Sequence, residues 1–210
     1  MEKILTDWLV AEARTLGVPV SEQEAGKLGV YLDQLLLWNR KVNLTAITDP
    51  AVAVEQHLLD SLAAALALGS ARSVIELGAG GGLPSIPLAI VRPGVQFTLV
   101  ETVGKKVGFL KAAIASLGLP NARAMQVRAG GDPDSERLPR CDAVIARAFM
   151  EPGAFVPLAA HYLVPAGRVI AMVGAETQVG EVPGIQRAET IEYVLPRSGA
   201  RRRLVVFQTA

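Results

Sequence analysis

The stretch Ser73-Val74-Ile75-Glu76-Leu77-Gly78-Ala79-Gly80-Gly81-Gly82-Leu83-Pro84 decides the reading of this chain, because a short apolar run breaks into four glycines and a proline. Ser73 to Leu77 is rich in branched apolar residues, as expected of a strand buried on both faces of a parallel sheet. The glycines lack a Cβ, so the backbone can turn with positive φ and a ligand can approach the main chain. Pro84 suits a first helical turn, where a missing N–H costs nothing. The predicted unit is strand, glycine loop, helix.

Spacing narrows what this unit holds. A phosphate-binding P-loop requires Gly-Lys-Ser/Thr, which does not follow. The dinucleotide fingerprint requires a third glycine at position 83, which is Leu83, and Glu76 puts a negative charge where a pyrophosphate is unwelcome. What remains is Glu-x-Gly-x-Gly-x-Gly, Glu76 through Gly82. It resembles the first motif of class I S-adenosylmethionine-dependent methyltransferases. That resemblance implies an acidic Glu76 near the cationic end of the cofactor, with Gly78, Gly80 and Gly82 making room for its methionine part and Leu83 beside it.

Composition sets the frame. The chain has 210 residues, half of them hydrophobic, enough for one α/β domain with an appended subdomain. No apolar run reaches the roughly 18 residues of a membrane helix, and Glu2, Lys3 and Asp7 spoil a signal-peptide reading of the N-terminus. Cys141 is the single cysteine, which excludes an intramolecular disulfide and a cysteine metal cluster and fits a reducing cytoplasm. A net charge of +1 gives no global push toward nucleic acid, so such binding must come from local patches.

Upstream of the glycines, residues 3–16 place Ile4, Leu5, Trp8, Leu9, Ala13 and Leu16 at helical spacing. Ser21 with Glu24 is a capping box for a second helix, which ends at Trp38-Asn39-Arg40-Lys41. Asp49-Pro50 starts a third, carrying His57-Leu58-Leu59-Asp60-Ser61. His57 and Asp60, three apart, share a helical face. Downstream, Val95 to Val100 is a second strand ending in Glu101, 19 positions beyond Gly82. In a dinucleotide-type sheet an acid so placed accepts from ribose hydroxyls. A helix over 104–117 begins with Lys105 and Lys106, cations that disfavour a helix start and so ask for a reason such as RNA phosphate. Ala124 to Val127 is a third strand, and Asp142 to Ala148 a fourth, whose Arg147 should face the crevice where strand order reverses. A helix over 152–163, a fifth strand over 168–173 and a hairpin of 190–195 with 202–208 complete the chain.

Two segments, Trp-Asn-Arg-Lys-Val-Asn-Leu-Thr from Trp38 and His-Leu-Leu-Asp-Ser from His57, give a more specific likeness. With Gly104-Lys105-Lys106 and Ala146-Arg147-Ala148, they resemble the bacterial 16S ribosomal RNA guanine-N7 methyltransferase family, also called glucose-inhibited division protein B. The resemblance implies a Rossmann-like class I methyltransferase with a mostly parallel seven-stranded sheet and an antiparallel C-terminal hairpin. It implies an N-terminal helical subdomain, 1–68, packed on a methyltransferase core, 69–210. S-adenosylmethionine is the expected cofactor, held by Glu76, Gly78, Gly80, Gly82, Leu83, Glu101, Ala129, Gly130 and Arg147. His57, Asp60 and Arg147 are the candidates lining the site, and no metal is expected. The expected partner is 16S ribosomal RNA or the small ribosomal subunit, not DNA or a membrane, met by a cytoplasmic monomer. Arg40, Lys41, Lys105, Lys106, Arg197, Arg201, Arg202 and Arg203 are the candidate RNA contacts. Arg40 and Lys41 also suit the negative end of their helix, and the arginines of the last hairpin also suit a guard on an edge strand.

The residues constrain the chemistry. Methyl transfer from a sulfonium is an in-line displacement that mainly needs alignment. Carbon-5 of a pyrimidine calls for a cysteine nucleophile, and Cys141 precedes a buried strand. The Asp/Asn-Pro-Pro-Tyr/Phe motif of exocyclic amino methyltransferases is absent, its place held by Ala146-Arg147-Ala148-Phe149. Guanine N7 carries a free lone pair and needs no base, which the chain's lack of an obvious one permits. Three departures from the family pattern leave alternatives open: Gly130 where an acid is common, Ser85 where glycine is usual, and Val173 where lysine is common. A small-molecule methyltransferase and a ribosome-associated RNA-binding protein with decayed catalysis are those alternatives.

Overall fold

The computed structural model describes residues 1–209. Among them, β1 (Ser73–Leu77), β2 (Gln96–Glu101), β3 (Ala122–Gln126), β4 (Cys141–Arg147), β5 (Leu163–Gly174), β6 (Gln186–Val194) and β7 (Arg201–Gln208) form one sheet, in the order β3-β2-β1-β4-β5-β7-β6. Strands β1 to β5 are mutually parallel, whereas β7 runs antiparallel to both β5 and β6. The chain therefore has the Rossmann-like α/β fold with its terminal antiparallel hairpin. Strand order reverses between β1 and β4, which opens a crevice at their carboxyl ends.

Alternation along the strands builds two cores. Val74, Phe97, Leu99, Ala143, Ile145, Ile170 and Leu204 face one side, where they join the helices α1 (Lys3–Thr15), α2 (Glu22–Val42), α5 (Ser85–Val91) and α6 (Gly104–Leu117). Ile75, Leu77, Val144, Val169, Ala171 and Phe207 face the other, beneath α7 (Pro152–Ala160) and two loops. The N-terminal helices are thus buried in the same apolar cluster as the sheet.

Local chemistry fixes the pieces that reach the crevice. The Ser21 hydroxyl accepts from the Glu24 amide and the Glu24 carboxylate accepts from the Ser21 amide, so the expected capping box starts α2. At its other end the Asn39 side chain accepts from the amides of Leu44 (2.7 Å) and Thr45 (2.9 Å) and donates to the Thr45 carbonyl (2.8 Å). Asn39 is the staple of this turn, and it aims Thr45 at the next helix. That helix runs over residues 50–67 and is not regular. Asp49 caps α3 (Pro50–Ala53), a π-helical turn follows at Val54–Leu59, then α4 (Asp60–Ala63) and a 3-10 turn at Ala64–Ala67. The extra residue of the π turn, a feature common at functional sites, falls on the His57 stretch.

Several boundaries differ from the sequence expectation: β3 starts at Ala122 rather than 124, and β6 at Gln186 rather than 190. The helix from Pro152 stops at Ala160, not at residue 163. β5 starts at Leu163, five residues early, because Leu163 pairs with Cys141 before residues 164–167 loop out and Arg168 resumes pairing at Ala143.

Candidate active site

At the carboxyl ends of β1 to β4 lies a cavity of about 410 Å³, lined by Gly78, Glu101, Thr102, Lys106, Val127 to Ala129 and Ala148 to Met150. The glycine loop forms one wall, braced from behind. Tyr31 of α2, fully buried, donates its hydroxyl to the Gly81 carbonyl at 2.6 Å. A Cβ on Gly81 would lie 2.9 Å from Leu35 of the same helix, so the loop and α2 touch backbone to side chain. Glu101 spans the cavity's base. One carboxylate oxygen accepts from Gly80 N (3.0 Å), the other from Thr102 N (2.7 Å) and Val103 N (2.9 Å), joining the loop to the start of α6. Burial alone would raise its pKa, but the Val103 and Gly80 amides and the Lys106 ammonium outweigh burial and hold it below the usual carboxylate range. A charge facing Lys106 explains a cation in the first turn of α6.

Glu76 behaves differently. It is 1% exposed and accepts from the Ser85 amide at 3.1 Å, at the start of α5, while the Ser85 hydroxyl has no hydrogen-bond partner. Burial pushes the Glu76 carboxyl up to about 7. It lies beneath the glycine loop and does not line the cavity.

A second cavity of about 480 Å³ adjoins the first and shares Ala148, Phe149 and Met150 with it. Its polar wall centres on Asp60, 5% exposed. One Asp60 oxygen accepts from Arg147 Nη1 (3.0 Å), the other from the Tyr193 hydroxyl (2.8 Å), with Arg202 Nε at 3.7 Å. Arg147 Nη1 also donates to the Gln56 carbonyl at 2.9 Å. Tyr193 and Arg202 face each other across the β6–β7 ladder and so project from one face onto the same carboxylate. Burial, then the Asp60 charge, pushes the Tyr193 phenol well up, which keeps it a donor. His57 sits beside this cluster, its Nε2 2.7 Å from the Thr45 hydroxyl and its Nδ1 3.2 Å from the Gln56 carbonyl. A carbonyl only accepts, so Nδ1 carries the proton and Nε2 accepts from Thr45. Burial and the Arg147 charge lower the His57 pKa to about 4, so the ring is neutral with both nitrogens engaged.

The expected residues thus separate into groups. Gly78, Glu101 and Ala129 line the first cavity, and His57, Asp60 and Arg147 line the second. Arg147, expected at the cofactor, stands on the far side of Phe149 from Glu101. Gly82 and Leu83 turn inward, a Gly82 Cβ falling 2.6 Å from Ile86 and Leu83 being 6% exposed. The Gly130 amide donates to Glu136 Oε1 at 2.7 Å, and the same carboxylate oxygen lies 3.3 Å from where a Gly130 Cβ would stand. An acid is therefore present at this loop, supplied from six residues along the chain. The three clustered arginines of β7 point to different places. Arg202 enters the second cavity, Arg201 pairs with Glu192 at 3.4 Å, and Arg203 donates to the Thr177 carbonyl. Because β7 lies between β5 and β6, they do not guard an edge strand. Arg202 faces Gly174 across the β5–β7 pair, so it brings a cation to the cavity that Val173 lines without one. Arg40, Lys41, Lys105 and Arg197 are exposed around this end of the sheet, and the Arg197 and Ser198 amides donate to the buried Glu55 of the π turn. Gln56, Glu136, Phe149 and Tyr193 escaped the sequence reading. The only signal for Tyr193 was its place in a hairpin that must fold back on β5.

Comparison with known proteins identifies the family and the fold. The family model described as rRNA small subunit methyltransferase G matches residues 24–198. Proteins named ribosomal RNA small subunit methyltransferase G from Anaeromyxobacter sp. (strain Fw109-5) and Myxococcus xanthus are each 44% identical. The first match covers 90% of this chain and 90% of the relative, the second 96% and 95%. Among solved structures, cofactor-bound Rv0187 from MTB superposes with a TM-score of 0.62 at 18% identity, over 88% of this chain and 89% of that one. The O-methyltransferase TomG from Streptomyces achromogenes, in complex with SAM, gives 0.58 at 15%, over 86% and 90%. Those two likenesses show the fold alone. The family match over most of the chain, with relatives at this identity, shows that the chain belongs to the rRNA small subunit methyltransferase G family.

Proposed function

We propose that this protein transfers a methyl group from S-adenosylmethionine to N7 of a guanine in 16S ribosomal RNA. The observation that carries the proposal is the pair of adjoining cavities, one built like a nucleoside cleft and the other lined by Arg147 and Arg202. The first cavity fits the donor's chemistry. Gly78 carries no Cβ to fill the space beside its backbone, Glu101 keeps one lone pair on Oε2 for a ribose hydroxyl, and the 127–129 loop presents main chain to a base. Glu76 lies below the loop and outside the cavity, where it holds the Ser85 amide at the start of α5. When bound, the donor supplies an activated methyl on a sulfonium.

The remaining work falls to the chain's own residues. Asp60, itself held by the Tyr193 hydroxyl, and the Gln56 carbonyl hold the Arg147 guanidinium in one orientation, from which its free N–H groups meet guanine O6 or a phosphate. Arg202 adds a second positive charge, and Arg40, Lys41, Lys105 and Arg197 extend the basic surface outward for the RNA backbone, while Lys106 turns to Glu101 in the donor cavity. His57, neutral and engaged at both nitrogens, removes no proton. An endocyclic N7 has no proton to lose, so positioning suffices. The division into a helical segment, 1–68, and a core, 69–210, fits a substrate wall carried by the π turn. Calorimetry with S-adenosylhomocysteine, together with methylation of stripped small subunits by the purified protein, tests the reading. Binding without transfer to the subunit favours a decayed binder, and transfer only to free small molecules favours the other alternative.

A further inference from the structure

We propose that Phe149 is a displaceable partition: its ring rests on Gly78 and separates the two cavities until the methyl donor enters, then moves off the glycine and joins them. The inference rests on the assignment of the 410 Å³ cavity to the donor.

Four observations carry it. First, the ring fills the space directly over Gly78, since a Cβ there would collide with Phe149 Cδ2 and lie 2.9 Å from Cε2. The backbone atom that the donor must approach is therefore covered by an aromatic ring. Second, Ala148, Phe149 and Met150 line both cavities, so they stand between Glu101 on one side and Arg147 on the other. An in-line displacement needs donor and acceptor atoms about 3–3.5 Å apart, which a ring between them forbids. Third, Ala148 has φ 51°, a left-handed conformation that a side chain disfavours, so the hinge just before the ring is held in a state with a relaxed alternative. Among the described residues no turn or loop hydrogen bond anchors the backbone of Phe149 or Met150. Fourth, Phe149 meets Phe155 edge to face, with centroids 6.4 Å apart, and Phe155 lines the second cavity only. The ring has an apolar surface to follow as it leaves Gly78, and that surface leads into the acceptor side.

The consequence is a sequence of binding. An acceptor arriving first meets a cavity closed off from the donor site, and donor binding opens the passage. Because the donor must first displace the ring, its apparent affinity is reduced by the fraction of molecules in which the ring has moved.

Isothermal calorimetry of the full chain with S-adenosylhomocysteine tests this without turnover. If the ring has moved in about one molecule in ten, Phe149→Ala binds roughly tenfold more tightly than the parent and Phe149→Leu falls between. Equal or weaker binding by Phe149→Ala makes the ring a wall of the donor site and overturns the partition while leaving the donor assignment intact. No binding by the parent overturns both. A second measurement does not depend on the alanine variant folding. In the parent protein the Phe149 ring protons, assigned by their loss in Phe149→Leu, should show an NMR cross-relaxation contact with the Gly78 α-protons. S-adenosylhomocysteine should abolish that contact, and its persistence in the bound protein overturns the displacement.

Discussion

Replacing Asp60 separates charge from shape at the centre of the acceptor cavity. Asp60→Asn keeps the volume and one carbonyl oxygen but substitutes an NH2 for the other oxygen. Arg147 has no acceptor to offer that NH2, so the amide must turn its oxygen to Arg147 and its nitrogen to Tyr193. Two charge-assisted hydrogen bonds become one neutral-acceptor bond and one reversed bond. Charge-assisted bonds are worth about 1.5–3 kcal/mol and neutral ones about 0.5–1.5, so the substitution should cost about 1–2 kcal/mol. Asp60→Ala leaves the guanidinium without its partner. Loss of one member of a buried pair costs about 3–5 kcal/mol, and the cost here belongs at the low end, about 3, because the Arg147 side chain is 21% exposed and water can reach it. Urea unfolding followed by circular dichroism reads both. In methyl transfer the loss should appear in the RNA substrate's kcat/KM, with the affinity for S-adenosylhomocysteine held, since Asp60 does not line the donor cleft. Equal stability of the Asn variant and the parent, or an equal loss of donor affinity in both variants, would refute the reasoning.

Glu76 should make stability depend on pH in the unusual sense for a carboxylate. Its folded pKa of about 7 lies above its ordinary 4.5, so the folded state keeps a proton that the unfolded state has lost between those values, and stability falls as pH rises through that window. Glu76→Gln should therefore gain up to about 3 kcal/mol at pH 8 and little at pH 4, measured by urea midpoints at both. A gain independent of pH would contradict the burial argument. Tyr31→Phe removes the 2.6 Å bond to the Gly81 carbonyl and should cost about 1–2 kcal/mol, with weaker donor binding, in unfolding and calorimetry respectively. Gly78→Ala combines a left-handed φ of 70° with a collision against Phe149, so Phe149→Ala should partly rescue it, leaving about 1–2 kcal/mol of backbone cost in a double-mutant cycle.

The parts of this molecule that sequence made legible are those set by local rules. The strand from Ser73 to Leu77, the capping box at Ser21 and the helix from Gly104 to Leu117 each follow from periodicity and punctuation within a few residues. Glu101 was legible because its distance from the glycines is a property of the strand-helix-strand unit. The acceptor wall was only half legible. His57 and Asp60 stood out on one helical face, but their partners come from Thr45, Arg147, Tyr193 and Arg202, and no spacing along the chain announces a contact 133 residues away such as Tyr193 on Asp60. The π turn was hidden too, because a helix with one extra residue reads as a helix in any window. Arg147 reached the crevice as its strand position demanded, yet on the acceptor side, because Phe149 and not Arg147 sits on Gly78. The basic run Arg201–Arg203 reads as one patch in sequence and divides in space, since alternate residues of a strand face opposite ways.

The central claim is tested most directly by incubating the purified protein with small ribosomal subunits from a strain deleted for its gene, in the presence of S-adenosylmethionine carrying an isotope-labelled methyl group. Mass spectrometry of the nuclease-digested 16S ribosomal RNA should find the label in a single N7-methylguanosine, with Asp60→Ala slowing its appearance. Label absent from the RNA, or present only on an exocyclic amine, a ribose or a pyrimidine, would contradict the assignment.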